Sequence, residues 1–266
     1  MQSDIKRKGI FGPNSIVAIV AYIISMFILG TVFIYLFAYV YSIEYDGKIV
    51  FNDLIRFIAD GKISGIPEIY KDLYVNASLK IQSYANFLSY FIGIVFAVIY
   101  LRDILKSSLI TLNKYKIQYL LMFVSAIAFV GITYLIDLFV SSHVQNSVNQ
   151  STIETLIKGD YRIPMIIATV IFAPILEELI YRGAIFKLTK NHKVAGYIIS
   201  IILFTFPHML STPFDNPFIW LFQSVPYIAS ALLLCLIYDL FKGNIYASIL
   251  AHMFNNALAI VLVLFV

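Results

Sequence analysis

Hydrophobic positions in this chain come in long runs, without the alternation of a strand or the narrow stripe of a soluble helix. Seven such stretches stand out, at 15–43, 81–101, 117–140, 163–186, 194–210, 217–238 and 244–265. About 20 apolar residues are needed to cross the hydrocarbon of a bilayer as a helix. No water is available there to satisfy the backbone, so runs of this length predict helices. The expected fold is all-α, a polytopic membrane bundle of about seven transmembrane helices.

Polar residues fall between the runs. The first outer segment, 44–80, interleaves Phe51, Leu54, Ile55, Phe57 and Ile58 with Asp53, Arg56 and Asp60. That pattern suits either an amphipathic helix lying at the interface or a partly ordered loop. The chain reads as one membrane domain. Residues 1–160 supply N-terminal spans together with the outer segment 44–80, and 161–266 form a core that carries the polar motifs. There is no convincing internal repeat, low-complexity tract or separate soluble part.

Composition agrees. Of 266 residues 61% are hydrophobic and 13% charged, about half the charge of an ordinary soluble domain. The net charge of +4 does not imply nucleic acid, because in a membrane protein the placement of Lys and Arg matters more than their sum. Lys6, Arg7, Lys8, Arg102, Lys106, Lys114, Lys116, Lys187, Lys190, Lys193 and Lys242 fall in segments at one end of the spans, against Asp4, Asp103 and Asp239. The segments 44–80, 141–162 and 211–216 hold more acid than base. The positive-inside rule then places the N-terminus in the cytoplasm, and the expected location is a bacterial plasma membrane. The apolar run after Lys8 is too long for a cleavable signal, so it reads as a retained first span. Asn76-Ala-Ser78 and Asn149-Gln-Ser151 match the short glycosylation triplet. The single cysteine, Cys235, has no internal disulfide partner and reads as a packed apolar residue.

Four charged side chains lie within the runs: Asp137, near an outer end, and Glu177, Glu178 and Arg182. A charge in a span costs about 2.5–3.5 kcal/mol on insertion scales, so this cluster needs a reason. Glu178 and Arg182 are a helical turn apart and share a face. They suit a structural ion pair and a direct chemical role equally well. Glu177 points about 100° away on a helix and is free for general base or acid work. His208 follows Pro207, which favours a bend that aims the imidazole into a cavity. His252 and Asn256 again share one helix face, and Asn255 points off it toward a neighbouring helix. Two histidines and a glutamate on three helices can surround a water or a Zn²⁺ ion.

These residues form Glu-Glu-x-x-x-Arg at 177–182, Phe-x-x-x-His at 204–208 and His-x-x-x-Asn at 252–256. In this order and spacing they resemble the motifs of the CPBP family of intramembrane proteases. That family includes CAAX-prenyl endopeptidases and bacteriocin-processing and self-immunity proteins. The resemblance covers roughly 160–260 and includes the glycine after the arginine, Gly183. It implies that Glu177 and His208 activate a water as catalytic groups. It also implies that His252 and Asn256 polarise the scissile carbonyl and hold the oxyanion, while Glu178 and Arg182 orient the site. If a metal takes part, Glu177, His208 and His252 are its ligands and Zn²⁺ the expected ion. The chain lacks the His-Glu-x-x-His of helical zinc proteases, and glutamate-dependent hydrolysis is the favoured version.

The expected function is an intramembrane endopeptidase acting on a membrane-associated or lipidated peptide near the cytoplasmic face, with the Lys/Arg-flanked mouth suiting an acidic substrate. Its expected partners are a peptide or membrane-protein substrate and the lipid bilayer. A non-catalytic scaffold, regulator or immunity protein is the alternative, and a transporter, which would favour paired repeats, is the third class. One tension is built into the pattern. Counted from the turn near 190, His208 lies deeper than Glu177 or His252, and the mechanism requires them to meet.

Overall fold

The computed structural model describes residues 11–61, 65–114 and 117–265. Among the described residues every regular element is helical. The chain runs through α1 (Pro13–Glu44), α2 (Phe51–Asp60), α3 (Lys71–Lys114), α4 (Ile117–Ser141), α5 (Val148–Lys158), α6 (Arg162–Leu188), α7 (Lys193–Met209), α8 (Pro217–Leu240) and α9 (Ile245–Phe265). Of these, α1, α3, α4, α6, α8 and α9 are long and apolar enough to cross a membrane, and α7 is a shorter apolar helix. The polytopic helical reading holds. The expected span at 194–210 is short because Pro207 sits in the last turn of α7 and the chain turns after Met209. Lys6, Arg7, Lys8, Asp4 and Lys116 lie outside the described residues.

One boundary differs from expectation. The second span, expected over 81–101, is part of the 44-residue helix α3, roughly 66 Å long at 1.5 Å per residue. The residues flanking its apolar centre include no proline, so nothing stops the helix where hydrophobicity ends. Of the two readings of the segment 44–80, the helical one describes its amphipathic stretch. That stretch is α2, whose Leu54 is fully buried against Ala38 of α1 and Tyr74, Ala77 and Ile81 of α3. The backbone N–H of Val50 donates to the Tyr74 hydroxyl at 2.6 Å, and α2 ends at Gly61 with φ +65°. Both glycosylation triplets fall on helices, α3 and α5, and Ser78 is buried. Cys235 is buried, its thiol 3.6 Å from the Ser200 hydroxyl.

The bundle is built around α6. Half of its most apolar stretch is buried inside the protein, against 17–28% for the other five spans. Leu176, Leu179, Ile180 and Ala184 of α6 pack with Ala18 and Tyr22 of α1, Ala97 and Leu101 of α3, Phe204 of α7, Ala231 of α8, and Ile245 and Ile249 of α9. The lipid-facing sides keep large exposed side chains such as Val32, Leu135 and Ile202, as a bundle in hydrocarbon requires.

Helix α6 is not a regular α-helix. π turns at Ala168–Phe172 and Leu179–Ala184 flank the short α segment Ala173–Glu178. A π turn accommodates an extra residue and changes which face the following side chains occupy. The two motif glutamates sit at the end of the α segment, between these two adjustments. A second device holds α6 in place: Gly93 of α3 faces Leu176 of α6 and Ser25 of α1 so closely that an added Cβ would lie 2.6 Å and 2.7 Å from their side-chain atoms.

Gly93→Ala should therefore destabilise the protein by about 1–3 kcal/mol, the range for overpacking a well-filled core. Gly93→Ala combined with Leu176→Ala should recover part of that loss. Thermal unfolding in detergent measures both, and an unchanged melting temperature in the single variant would contradict the close approach.

Candidate active site

Arg182 is completely buried in the middle of the bundle. Its guanidinium cannot lose its proton, so the surroundings must supply acceptors. Nη1 donates to Glu178 Oε1 at 2.8 Å and Nη2 to the backbone carbonyl of Ala231, in α8, also at 2.8 Å. The cation lies 5.1 Å from the centre of the Phe204 ring of α7, a favourable cation–π placement. Glu178, also fully buried, receives a second bond at the same Oε1 from His252 Nδ1 of α9 at 3.0 Å. One ion pair on α6 thereby binds α7, α8 and α9. Neither Glu178 nor Arg182 lines the adjoining cavity, which favours the structural half of the two sequence readings.

Glu177 faces elsewhere, as its position one residue earlier predicts. It is 3% exposed. Its Oε1 accepts from the Tyr90 hydroxyl of α3 at 3.2 Å, and its Oε2 is buried with no hydrogen-bond partner. An unsatisfied buried carboxylate oxygen is expensive, and here it belongs to a side chain lining a cavity of about 410 Å³. His208, His252 and Asn256 line the same cavity. All four residues expected to do chemistry are thus brought together.

The depth problem is resolved through Phe204. Its ring centre lies 4.9 Å from that of His208, a turn away on α7, and 5.7 Å from that of His252 on α9. Residues of α6, α7 and α9 thus line one cavity. Hydrogen bonds then fix both imidazoles. His208 Nδ1 lies 2.7 Å from the Phe204 carbonyl. A carbonyl only accepts, so Nδ1 carries a proton, and in the neutral ring Nε2 presents a lone pair. His252 Nδ1 donates to the Glu178 carboxylate, so in the neutral ring its Nε2 also presents a lone pair.

The turn before α9 sets the position of His252. Gly243 adopts φ +81°, and the Asn244 side chain accepts from the N–H of Tyr246 at 3.1 Å while donating to the Ser108 carbonyl of α3 at 3.0 Å. Asn256, one turn beyond His252, donates to the Thr169 carbonyl at 2.9 Å. Thr169 lies in the first π turn of α6. One N–H of the Asn256 amide remains for another acceptor. Asn255 points to the neighbouring helix α4 as expected, its Oδ1 accepting from Thr133 at 2.5 Å.

Among the described residues no group of three or more His, Cys, Asp or Glu is arranged to hold a metal ion. As placed, Glu177, His208 and His252 share a cavity wall but do not converge as a ligand set, so they do not fit the Zn²⁺ expectation.

Sequence reasoning missed two parts of the site. Tyr90 comes from the N-terminal spans, outside the three motifs, and lies in the middle of the apolar run 81–101. The second is the cavity mouth. The Lys/Arg-flanked mouth expected at the cytoplasmic side is not where the cavity runs. Its walls include Asp137 and Ser141 of α4, Gln145 and Asn146 of the following segment, and Glu154 of α5, and among the described residues include no Lys or Arg. The cavity runs toward the opposite end because α6 contributes Met165, Thr169, Ala173 and Glu177, all N-terminal to the buried ion pair that plugs the other end.

The fold and this constellation define a polytopic helical membrane protein with an acid, two imidazoles and an amide around one internal cavity. Residues 159–258 match the family described as Rce1-like, type II CAAX prenyl endopeptidase. The resemblance to CPBP intramembrane proteases thus holds over the segment that carries all three motifs. The chain is also similar to an uncharacterized protein of Mycoplasma capricolum subsp. capricolum, 30% identical over 124 residues that cover 47% of this chain and 34% of that one. It is similar to the UPF0177 protein YajF of Lactococcus lactis subsp. lactis, 36% identical over 66 residues, 25% of this chain and 32% of that one. The matched region spans about a third of the length of these curated relatives. No solved structure matches.

The buried ion pair generates a stability prediction. Glu178→Gln strands the Arg182 cation and should cost about 3–5 kcal/mol. Glu178→Gln with Arg182→Met removes the stranded charge and should be more stable than the single variant. Melting temperatures of the purified proteins report the order; equal values would deny the pair its structural weight.

Proposed function

We propose that the chain is an intramembrane endopeptidase in which Glu177 and His208 activate a water for attack on a peptide carbonyl. The observation that carries this reading is the buried, unpartnered Oε2 of Glu177 in a cavity shared with both histidines and Asn256. An acceptor without a donor inside a polar cavity is a place for a water, and a carboxylate there is positioned to take its proton. The Nε2 lone pair of His208 offers a second acceptor. Tyr90 holds the other oxygen of Glu177 and so fixes the carboxylate plane.

As the water adds to the carbonyl carbon, negative charge collects on the former carbonyl oxygen. The free N–H of Asn256 is the donor for that oxyanion, with the amide held in place by Thr169. A preorganised donor of this kind is worth about 3–4 kcal/mol. His252 reaches the same wall, anchored by Glu178. With Nε2 protonated, His252 joins Asn256 as a donor to the oxyanion, and the proton that Glu177 took from the water passes to the leaving amine as the C–N bond breaks. The bond broken is the scissile C–N bond. The products are a carboxylate and an amine. No step is routed through a metal, and cleavage should persist in phenanthroline; its loss would overturn this version.

Glu177→Gln and His208→Ala should each lower cleavage at least about 10²-fold, the usual worth of a general base, and Asn256→Ala by a similar factor, with expression retained. Mass spectrometry of membrane and secreted peptides from cells carrying the wild type or Glu177→Gln measures this. Identical peptide profiles with the protein present would leave the fold as a scaffold.

A further inference from the structure

Three of the four side chains around the cavity are oriented by hydrogen bonds to other helices. Glu177 takes one from Tyr90 of α3, His252 gives one to Glu178 of α6, and Asn256 gives one to the Thr169 carbonyl of α6. His208 is held differently. Its Nδ1 bonds to the Phe204 carbonyl at 2.7 Å, one turn back on its own helix. The backbone there is not stiff: α7 ends at Met209, and Pro207 has no N–H to give to the preceding turn. A bond at one ring nitrogen also leaves the imidazole free to tip about that atom.

Tyr227 of α8 supplies a second hold. Its ring centre lies 4.8 Å from that of His208, with the planes 35° apart, within the range of favourable ring pairs. Phe204 lies at 4.9 Å on the same imidazole, but it also carries the Arg182 cation at 5.1 Å and the His252 ring at 5.7 Å. Tyr227 is itself fixed at its far end, where its hydroxyl lies 2.7 Å from that of Ser147, which is buried. Ser147 caps α5, accepting from the N–H of Gln150 at 3.3 Å. Gln223, one turn before Tyr227 on α8, donates to the Gln145 carbonyl at 2.9 Å, and the N–H of Val148 donates to the Thr212 hydroxyl at 3.2 Å. The residue that packs on His208 is therefore anchored by its backbone in α8 and by its hydroxyl at the start of α5. Tyr227 and His208 both line the cavity.

We propose that Tyr227 is a positioning residue for His208. Its ring fixes the plane of the imidazole, keeping Nδ1 on the Phe204 carbonyl and Nε2 toward the cavity, and its hydroxyl ties that plane to the cap of α5. An imidazole that tips loses the bond that selects its tautomer, and the lone pair at Nε2 is then no longer assured. The π face of Tyr227 also favours the ring once it gains a proton, since an aromatic face attracts a cation. The inference rests on reading His208 as a group that acts on the water. Its first test reads the imidazole itself, so the two can fail separately.

That test uses the full chain, purified in detergent and labelled with ¹⁵N at its four histidines. The His208 signals are those lost in His208→Gln. At a pH where the ring is neutral, wild-type His208 should carry its proton on Nδ1, with Nε2 bare. Tyr227→Leu removes the ring and should turn His208 into a mixture of both tautomers, while Tyr227→Phe keeps the ring and should restore the wild-type signals. His252, held by Glu178, should not change in either variant. An unchanged His208 in Tyr227→Leu would overturn the proposal, and so would an equal disturbance of His208 and His252. Should Tyr227→Leu fail to fold, Tyr227→Met fills similar space without a ring and gives the same comparison. In the peptide-profile assay, Glu177-dependent cleavage should fall about tenfold or more in Tyr227→Leu, as misplacement of a reacting group requires, and recover in Tyr227→Phe. Normal cleavage by a Tyr227→Leu protein whose His208 tautomer has changed would overturn the role of that tautomer in the reaction.

Discussion

A guanidinium that cannot be neutralised sits at the centre of this bundle, and much of the architecture answers to it. Arg182 and Glu178 share one helix, but their partners include a carbonyl from α8, an imidazole from α9 and an aromatic face from α7. In hydrocarbon, helices gain little from burying apolar surface against each other, because lipid is as apolar as leucine. A charge needing acceptors from several helices is a stronger constraint, since each helix that moves away leaves a polar group unmet. The same network holds His252 by Nδ1, so the group that fixes the helices also fixes the orientation of a cavity side chain. Structural and chemical roles therefore cannot be divided residue by residue between Glu178 and His252.

The backbone irregularity of α6 does comparable work. A regular helix through 162–188 would present Thr169, Glu177 and Arg182 on faces set by a uniform 100° step. The π turns at Ala168–Phe172 and Leu179–Ala184 break that step on either side of the glutamates. Asn256 bonds to the Thr169 carbonyl inside one of them. Insertions of this kind concentrate at functional sites. Here they separate two adjacent carboxylates into different environments, one neutralised by Arg182 and the other open to the cavity.

Much of the fold was legible in the runs of apolar residues, because the bilayer leaves helices as the only way to satisfy a spanning backbone. The grouping of Glu177, His208, His252 and Asn256 was legible in the three motifs. What hydropathy could not show was where helices end once they leave the hydrocarbon, so α3 was expected far shorter than it is. Nor could helix counting show that α7 stops early or that α6 carries π turns. The mouth was misplaced for a related reason. Charges near the Lys/Arg-rich turns suggested an entrance there, yet the buried ion pair of Glu178 and Arg182 lies toward that end and does not line the cavity, and no one-dimensional pattern reports which end of a helix bundle is closed. Tyr90 carries no motif, and its bond to Glu177 depends on a helix 87 residues away in sequence.

Tyr90 and Gly93 have a bearing on how the protein could be divided. The region that carries the family likeness begins at residue 159, and by motif alone it looks self-contained. Yet Leu176 rests against Gly93, and the adjacent Glu177 takes its hydroxyl donor from one turn earlier on the same helix. Cut away from the preceding chain, the matched region would expose one wall of the cavity to lipid and leave both oxygens of Glu177 without a donor. The N-terminal spans are therefore the missing wall of the site, and the smallest unit able to hold that carboxylate in place reaches well outside the segment that resembles a protease.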